Sequence, residues 1–279
     1  IEAIKKAVFT KILRVFETKL EKKRDDYIKM WEKFGQTIKE GIASDFTNKD
    51  KLTKLSLFKS SDSEKWTTLK EYISRMSTSQ KEIYYITGES LSQIKDSAYL
   101  ERLREKKYEV LYLIDPVDEW VMNSLTEFEG KKLISVTKDK LDLESEEEKK
   151  EKEEKRKGQE DKFKPLTESI KKNLDQEIKE VKLSSRLVDS PACLVSGDND
   201  PSAHMEKMME AMGQSMPKSK RILEINPNHP VLEKMVDLTQ EKQKLWSEIL
   251  YNQALLSEGS QIKDPSAFSK KISDLMLEA

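Results

Sequence analysis

The stretch Tyr108–Trp120, YEVLYLIDPVDEW, decides the fold. Val110 to Ile114 is a short, uninterrupted apolar run rich in β-formers, and Asp115 with Pro116 is a stop signal. Such a run reads as a strand buried on both faces. Upstream, EIYYITGESL (Glu82–Leu91) repeats the design. Ile83 to Ile86 form a strand, Gly88 makes the turn and Ser90 can cap a following helix. Downstream, GKKLISVT supplies a third strand from about Leu133. Strand, helix, strand at this spacing predicts a parallel βαβ unit, over about residues 81–143.

Before it, residues 1–80 alternate charged and apolar positions with helical period: Ile4, Val8, Ile12, Val15 and Phe16, then Tyr27, Trp31, Phe34, Ile38 and Ile42. These are expected to be helices packed on each other. After it, every residue from Glu144 to Lys162 is charged except Ser145, Gly158 and Gln159, which marks a solvated linker or helix and a domain boundary. From residue 163 to 279 a second, mixed α/β domain follows: a helix, then strands with SRLVDSPACLV as a buried pair, then two helices introduced by Asp200-Pro201 and Asp264-Pro265. The fold class is therefore a multidomain α+β or α/β chain.

Composition limits the function. Charged residues make up 37% of the chain and hydrophobic residues 36%, against roughly 25% and about 45–50% in ordinary soluble proteins. The net charge of -1 gives no positive field for nucleic acid or an anionic membrane. One cysteine, Cys193, allows no internal disulfide, and no apolar run approaches the roughly 20 residues needed to cross a bilayer. A soluble, intracellular protein is expected. The opening helix IEAIKKAVFTKILRVF carries neither an initiator Met nor a signal-peptide pattern, so the chain reads as a fragment.

Catalytic and metal signatures are sparse. The glycines are scattered singly, without a phosphate-binding spacing. Two histidines, His204 and His229, and one cysteine cannot build a usual zinc site. Gly88, Glu89, Ser90, Asp115 and Asp118 would gather at the carboxyl ends of the parallel strands, where open sheets bind ligands, but these are also the residue types of turns and helix caps. Glu119 and Trp120 end the strand phrase as either a partner contact or core.

The segment HMEKMMEAMGQSM (His204–Met216) holds five of the ten methionines. On a helix, Met205, Met208, Met209 and Met212 share one face, with Met216 a turn further on. By pattern alone this is a buried stripe. Yet it is almost pure methionine, an unbranched, polarizable side chain that adapts to many partners. Near the C-terminus, Trp246, Ile249, Leu250, Gln253 and Ala254 align on one helix, and Phe268, Ile272, Leu275 and Met276 on the last.

Several phrases together, YISRM, IYYITGES, YEVLYLIDPVDEW, EFEGKKLISVTK, SSRLVDSPACLVSG, LEINPNHPVLEKM and LYNQALLSEGSQIKDPSAF, resemble the ninety-kilodalton heat-shock chaperones of the bacterial HtpG type, end to end. The resemblance implies the later middle domain in residues 1–143 and the C-terminal dimerisation domain in 163–279. It implies a cytoplasmic homodimer that binds partly unfolded client proteins, and stress-response protein folding as the wider role. ATP and its Mg, the nucleotide site and the catalytic arginine loop would lie before Ile1, so this chain would hold no cofactor and would not hydrolyse ATP. Client contacts would fall on Glu119, Trp120, Met205, Met208, Met209, Met212 and Met216. The dimer interface would use Trp246, Ile249, Leu250, Leu255, Leu256, Phe268, Ile272 and Leu275. The alternative is a dimerisation scaffold with the Met helix buried against its own domain.

Overall fold

In a computed structural model the described residues are all but 1, 64, 145, 215–218 and 279, together with the side chains at 146, 147, 152 and 278. The chain forms two compact units: the residues up to Ile94 with Tyr108–Ser135, and Lys95–Lys107 with the residues from Val136 onward. The break falls at Ser135/Val136, ahead of the charge run beginning at Glu144, and the short insert Lys95–Lys107 joins the second unit.

The first unit begins with α1 (Glu2–Lys22), α2 (Arg24–Ser44) and α3 (Lys49–Leu55), followed by the short β1 (Lys59–Ser60) and α4 (Leu69–Arg75). Then come β2 (Ile83–Thr87) and α5 (Leu91–Lys95); after a 3-10 turn (Ala98–Leu100) and α6 (Glu101–Glu105), which belong to the second unit, the first resumes with β3 (Val110–Leu113), α7 (Asp118–Ser124), β4 (Glu127–Phe128) and β5 (Lys131–Ser135). The sheet order is β1-β3-β2-β5-β4. The three expected strands are its centre, and both neighbours of β2 run parallel to it, with Tyr85 opposite Leu111 on one side and Ser135 on the other. The βαβ reading therefore holds, with antiparallel edge strands added on both sides. Gly88 is required where β2 ends, because a Cβ there would stand 2.3 Å from Ile94 Cγ2.

The helical half is only partly as expected. In α1 the core-facing set is Phe9, Leu13, Phe16 and Leu20, whereas Ile4, Val8, Ile12 and Val15 lie exposed. The helix has two apolar stripes, and one of them is used against this core. In α2 the buried stripe is Tyr27, Trp31, Gly35, Lys39 and Ile42, while Phe34 points outward. The Tyr27 hydroxyl donates to the Leu55 carbonyl at 2.7 Å, which ties α2 to α3 inside the core.

The second unit contains α8 (Glu146–Asn173), β6 (Ile178–Leu183), β7 (Ala192–Val195), α9 (Ala203–Ala211), β8 (Arg221–Ile225), α10 (Pro230–Val236), α11 (Gln240–Glu258) and α12 (Pro265–Glu278). The charged stretch is the front of α8, a helix stabilised on its surface by Lys157–Glu153 and Arg156–Glu160 pairs at i,i+4. Its anchoring stripe starts at Phe163 and continues through Leu166, Ile170 and Leu174. These residues pack with Leu194, Leu223, Ile225 and Leu250 in one core. The sheet order is β6-β8-β7, with β6 parallel and β7 antiparallel to β8.

The phrase SRLVDSPACLV yields one strand instead of a pair, since only Ala192–Val195 is extended. The loop before it is held by a carboxylate. Glu101 accepts from the backbone N–H groups of Val188 (2.6 Å), Asp189 (2.9 Å) and Ser190 (3.1 Å) and from the Ser190 hydroxyl (2.5 Å). Partial burial raises the Glu101 carboxyl, and these donors outweigh it, so it sits below the ordinary range. Beneath, Arg186 and Glu224 form an ion pair whose side chains are 2% and 7% exposed. Burial pushes the neighbouring Cys193 thiol well up, so it stays protonated and inert. Among the described residues, no helix is long and apolar enough to cross a membrane.

Candidate functional site

The Met helix, α9, is set by its caps. Ser202 is the N-cap and its hydroxyl accepts from Met205 N–H at 2.9 Å, so the expected Asp200-Pro201 start lies two residues too early. Gly213, at φ +76°, ends the helix in a left-handed conformation that suits glycine. Met205, Met208 and Met209 are half-buried, Met212 at the C-cap is 57% exposed, and α9 has no buried residue. The stripe is therefore half-covered at Met205, Met208 and Met209 and opens at Met212. Met216 lies outside the described residues.

Polar contacts hold this helix to its unit. Glu206 pairs with Arg221 at the start of β8 (2.7 Å), which also reaches Glu258 at the end of α11 (3.3 Å). The next residue, Lys207, donates to the carbonyl of Gly259. None of these ionic partners stands out in the sequence except by one signal: a charge at each of two positions in the buried strand RILEI.

The two C-terminal helices divide their apolar residues. Ile249 and Leu250 are buried, and Leu250, Ala254, Trp246 and Leu255 pack on the second unit's own core. Ile249 and Leu250, which the resemblance places at the dimer interface, are already buried within the single chain. Leu256 is 53% exposed, Phe268, Ile272 and Leu275 are half-exposed on α12, and Met276 and Leu277 are 74% and 87% exposed. This outer face is what remains free to meet another surface.

In the first unit, Trp120 is 36% exposed on α7 while its neighbour Glu119 is buried. Glu119 therefore faces inward; burial, with its charge nearby, pushes the Tyr85 phenol up. Lys39 fastens α7 to α2, with Nζ 2.8 Å from Asp115 Oδ2 and 2.7 Å from Asp118 Oδ1. Burial raises the Asp118 carboxyl, and for Asp115 the Lys39 charge overcomes burial and lowers it. Gln36 donates to Asp115 as well. Ser90 Oγ accepts from Gln93 N–H at 3.3 Å, as a cap does. The carboxyl ends of the strands thus carry a salt-bridged joint and a helix cap, with both aspartates engaged structurally. Among the described residues, no three His, Cys, Asp or Glu side chains converge as a metal site would require.

The whole chain, residues 1–279, matches the family model described as Hsp90 protein. The chaperone protein HtpG of Bdellovibrio bacteriovorus is 52% identical over 278 residues, which cover 99% of this chain and 44% of that relative. The HtpG chaperones of Geobacter metallireducens and Bordetella avium are 44% and 42% identical over 284 residues each. The chain spans 44% of the length of each of these relatives.

Proposed function

Because this chain belongs to the Hsp90 protein family, we propose that it supplies the client-binding surface and the dimer contact of an ATP-driven molecular chaperone. The observation that carries the reading is α9: a methionine stripe with no buried residue and a 57% exposed Met212 at its end. Burying one such side chain is worth about 1.5–3 kcal/mol, and fixing it costs up to about 2 kcal/mol. The net gain per residue is small, so a client is held by several weak contacts and can leave. Trp120 offers a second apolar contact in the first unit, without the charge of Glu119 beside it. The scaffold alternative needs α9 buried, and the exposure of Met212 favours the client reading over it.

Dimerisation is assigned to the outer face of α11 and α12, where Leu256, Met276 and Leu277 are exposed. The full-length protein would act as a cytoplasmic homodimer. ATP and Mg would be bound by the part of the family's chain that precedes the region matched here, and the present residues would take no step of hydrolysis.

At micromolar concentration the 279-residue chain should sediment as a dimer and bind a fluorescently labelled, destabilised model protein. A monomer without affinity for that protein would overturn the proposal.

A further inference from the structure

Nine residues make up α9, fewer than the roughly 12–15 that even a good isolated helix needs in water. With its methionines half-buried and no residue fully buried, its apolar face alone gives it little order. Polar contacts from its neighbours add to that order. The central one is a fork: Arg221 Nη1 and Nη2 donate to Glu206 Oε1 and Oε2 at 3.1 and 2.7 Å. The Ser219 N–H adds a third bond to Glu206 at 3.0 Å. On its other edge, Arg221 Nε donates to Glu258 Oε1 at 3.3 Å. The side chains of Arg221, Glu206 and Glu258 are 8%, 13% and 7% exposed. One guanidinium therefore serves two carboxylates, one on the Met helix and one on the fixed end of α11.

We propose that Glu206 and Arg221 are positioning residues for the Met stripe, holding α9 helical and oriented while Glu258 keeps Arg221 neutralised whenever α9 lets go. A single buried pair would strand a charge when opened, at a steep cost. The second carboxylate removes that cost, so α9 is a releasable element on a permanently compensated anchor. Glu206 lies between Met205 and Met208 in sequence, so the anchor acts at the stripe itself. This inference rests on the client-surface reading. Client affinity then depends on Glu206 although the client need not touch it, because a detached α9 must be reordered on binding.

The test uses three variants of the whole chain: Glu206→Gln, Glu258→Gln, and the triple Met205→Ser, Met208→Ser, Met209→Ser. Hydrogen exchange across residues 203–211 and binding of a labelled, destabilised model protein are read for each. In Glu206→Gln, exchange should quicken and affinity fall, each about tenfold as expected for losing a charge-assisted hydrogen-bonded pair, with the thermal midpoint close to the parent. Glu258→Gln should lower the midpoint and slow α9 exchange, because release of α9 then strands the Arg221 charge, and affinity should not fall. Unchanged exchange or unchanged affinity in Glu206→Gln would overturn the proposal, as would release of α9 by Glu258→Gln. If the triple variant binds like the parent, the client-surface reading itself fails. If the triple variant loses binding and Glu206→Gln does not, the positioning role alone fails.

Discussion

Arg186→Met should lower the stability of the second unit by about 3–5 kcal/mol, the usual cost of leaving a buried charge without its partner. The guanidinium is 2% exposed and fully engaged. Its Nε and Nη2 donate to the two Glu224 oxygens at 2.9 and 2.8 Å. Nη1 reaches the Val136 carbonyl at 2.5 Å and Nη2 the Lys138 carbonyl at 2.9 Å. Removing it leaves the Glu224 carboxylate, among the described residues, with the Ser184 hydroxyl as its donor, at 2.6 Å, and it strips two carbonyls. Lysine cannot restore a planar fork of this kind, so Arg186→Lys should also lose much of the stability. The double variant Arg186→Met, Glu224→Met should recover most of the loss, because apolar side chains of similar size escape the desolvation cost. Denaturant midpoints of the parent, single and double variants check this; a single variant within about 1 kcal/mol of the parent would contradict it.

Lys39→Met should have an effect of the same order in the first unit, about 3–5 kcal/mol. The lysine side chain is 3% exposed and lies between Asp115 and Asp118, of which Asp118 is 1% exposed. Its ammonium also stands 5.2 Å from the centre of the Phe58 ring. Without the cation, the buried Asp118 carboxylate is left beside the half-buried Asp115 and must take up a proton to stay. The consequence reaches Trp120, since the joint between α2 and α7 is what fixes the helix that carries it. Adding Asp118→Asn should restore part of the loss, because one of the two carboxylates is gone. Urea unfolding followed by tryptophan fluorescence measures both steps, and an unchanged midpoint in Lys39→Met would refute the account of this joint.

Local pattern revealed the central strands because buried parallel strands are continuous apolar runs, and VLYL and IYYI are both of that kind. It also placed the start of α12, where Asp264 Oδ1 accepts from Ala267 N–H at 2.9 Å. Distant partners were not legible. The insert Lys95–Lys107 sits between two strands of the first unit's sheet in sequence, yet within the second unit Glu101 holds the loop at 188–190 and Arg102 N–H donates to the Arg186 carbonyl. Nothing in the spacing of those residues records that pairing.

The candidate site shows the same division. Periodicity grouped Met205, Met208 and Met209 on one face, but the polar anchor that orders the helix joins residues from a helix, a strand and the end of another helix. Periodicity also grouped Ile249 and Leu250 on one face of α11, and both are buried within the chain. A helical stripe states which residues share a side, and leaves open what that side meets.

The central claim is that clients bind the methionine stripe of α9. Its most direct test is the affinity of a labelled, destabilised model protein for the parent chain and for the Met205→Ser, Met208→Ser, Met209→Ser variant, with a melting curve of each. The account predicts a large loss of binding with the melt unchanged, since α9 has no buried residue to lose. Retained binding, or a collapsed melt that marks the methionines as core, would contradict it.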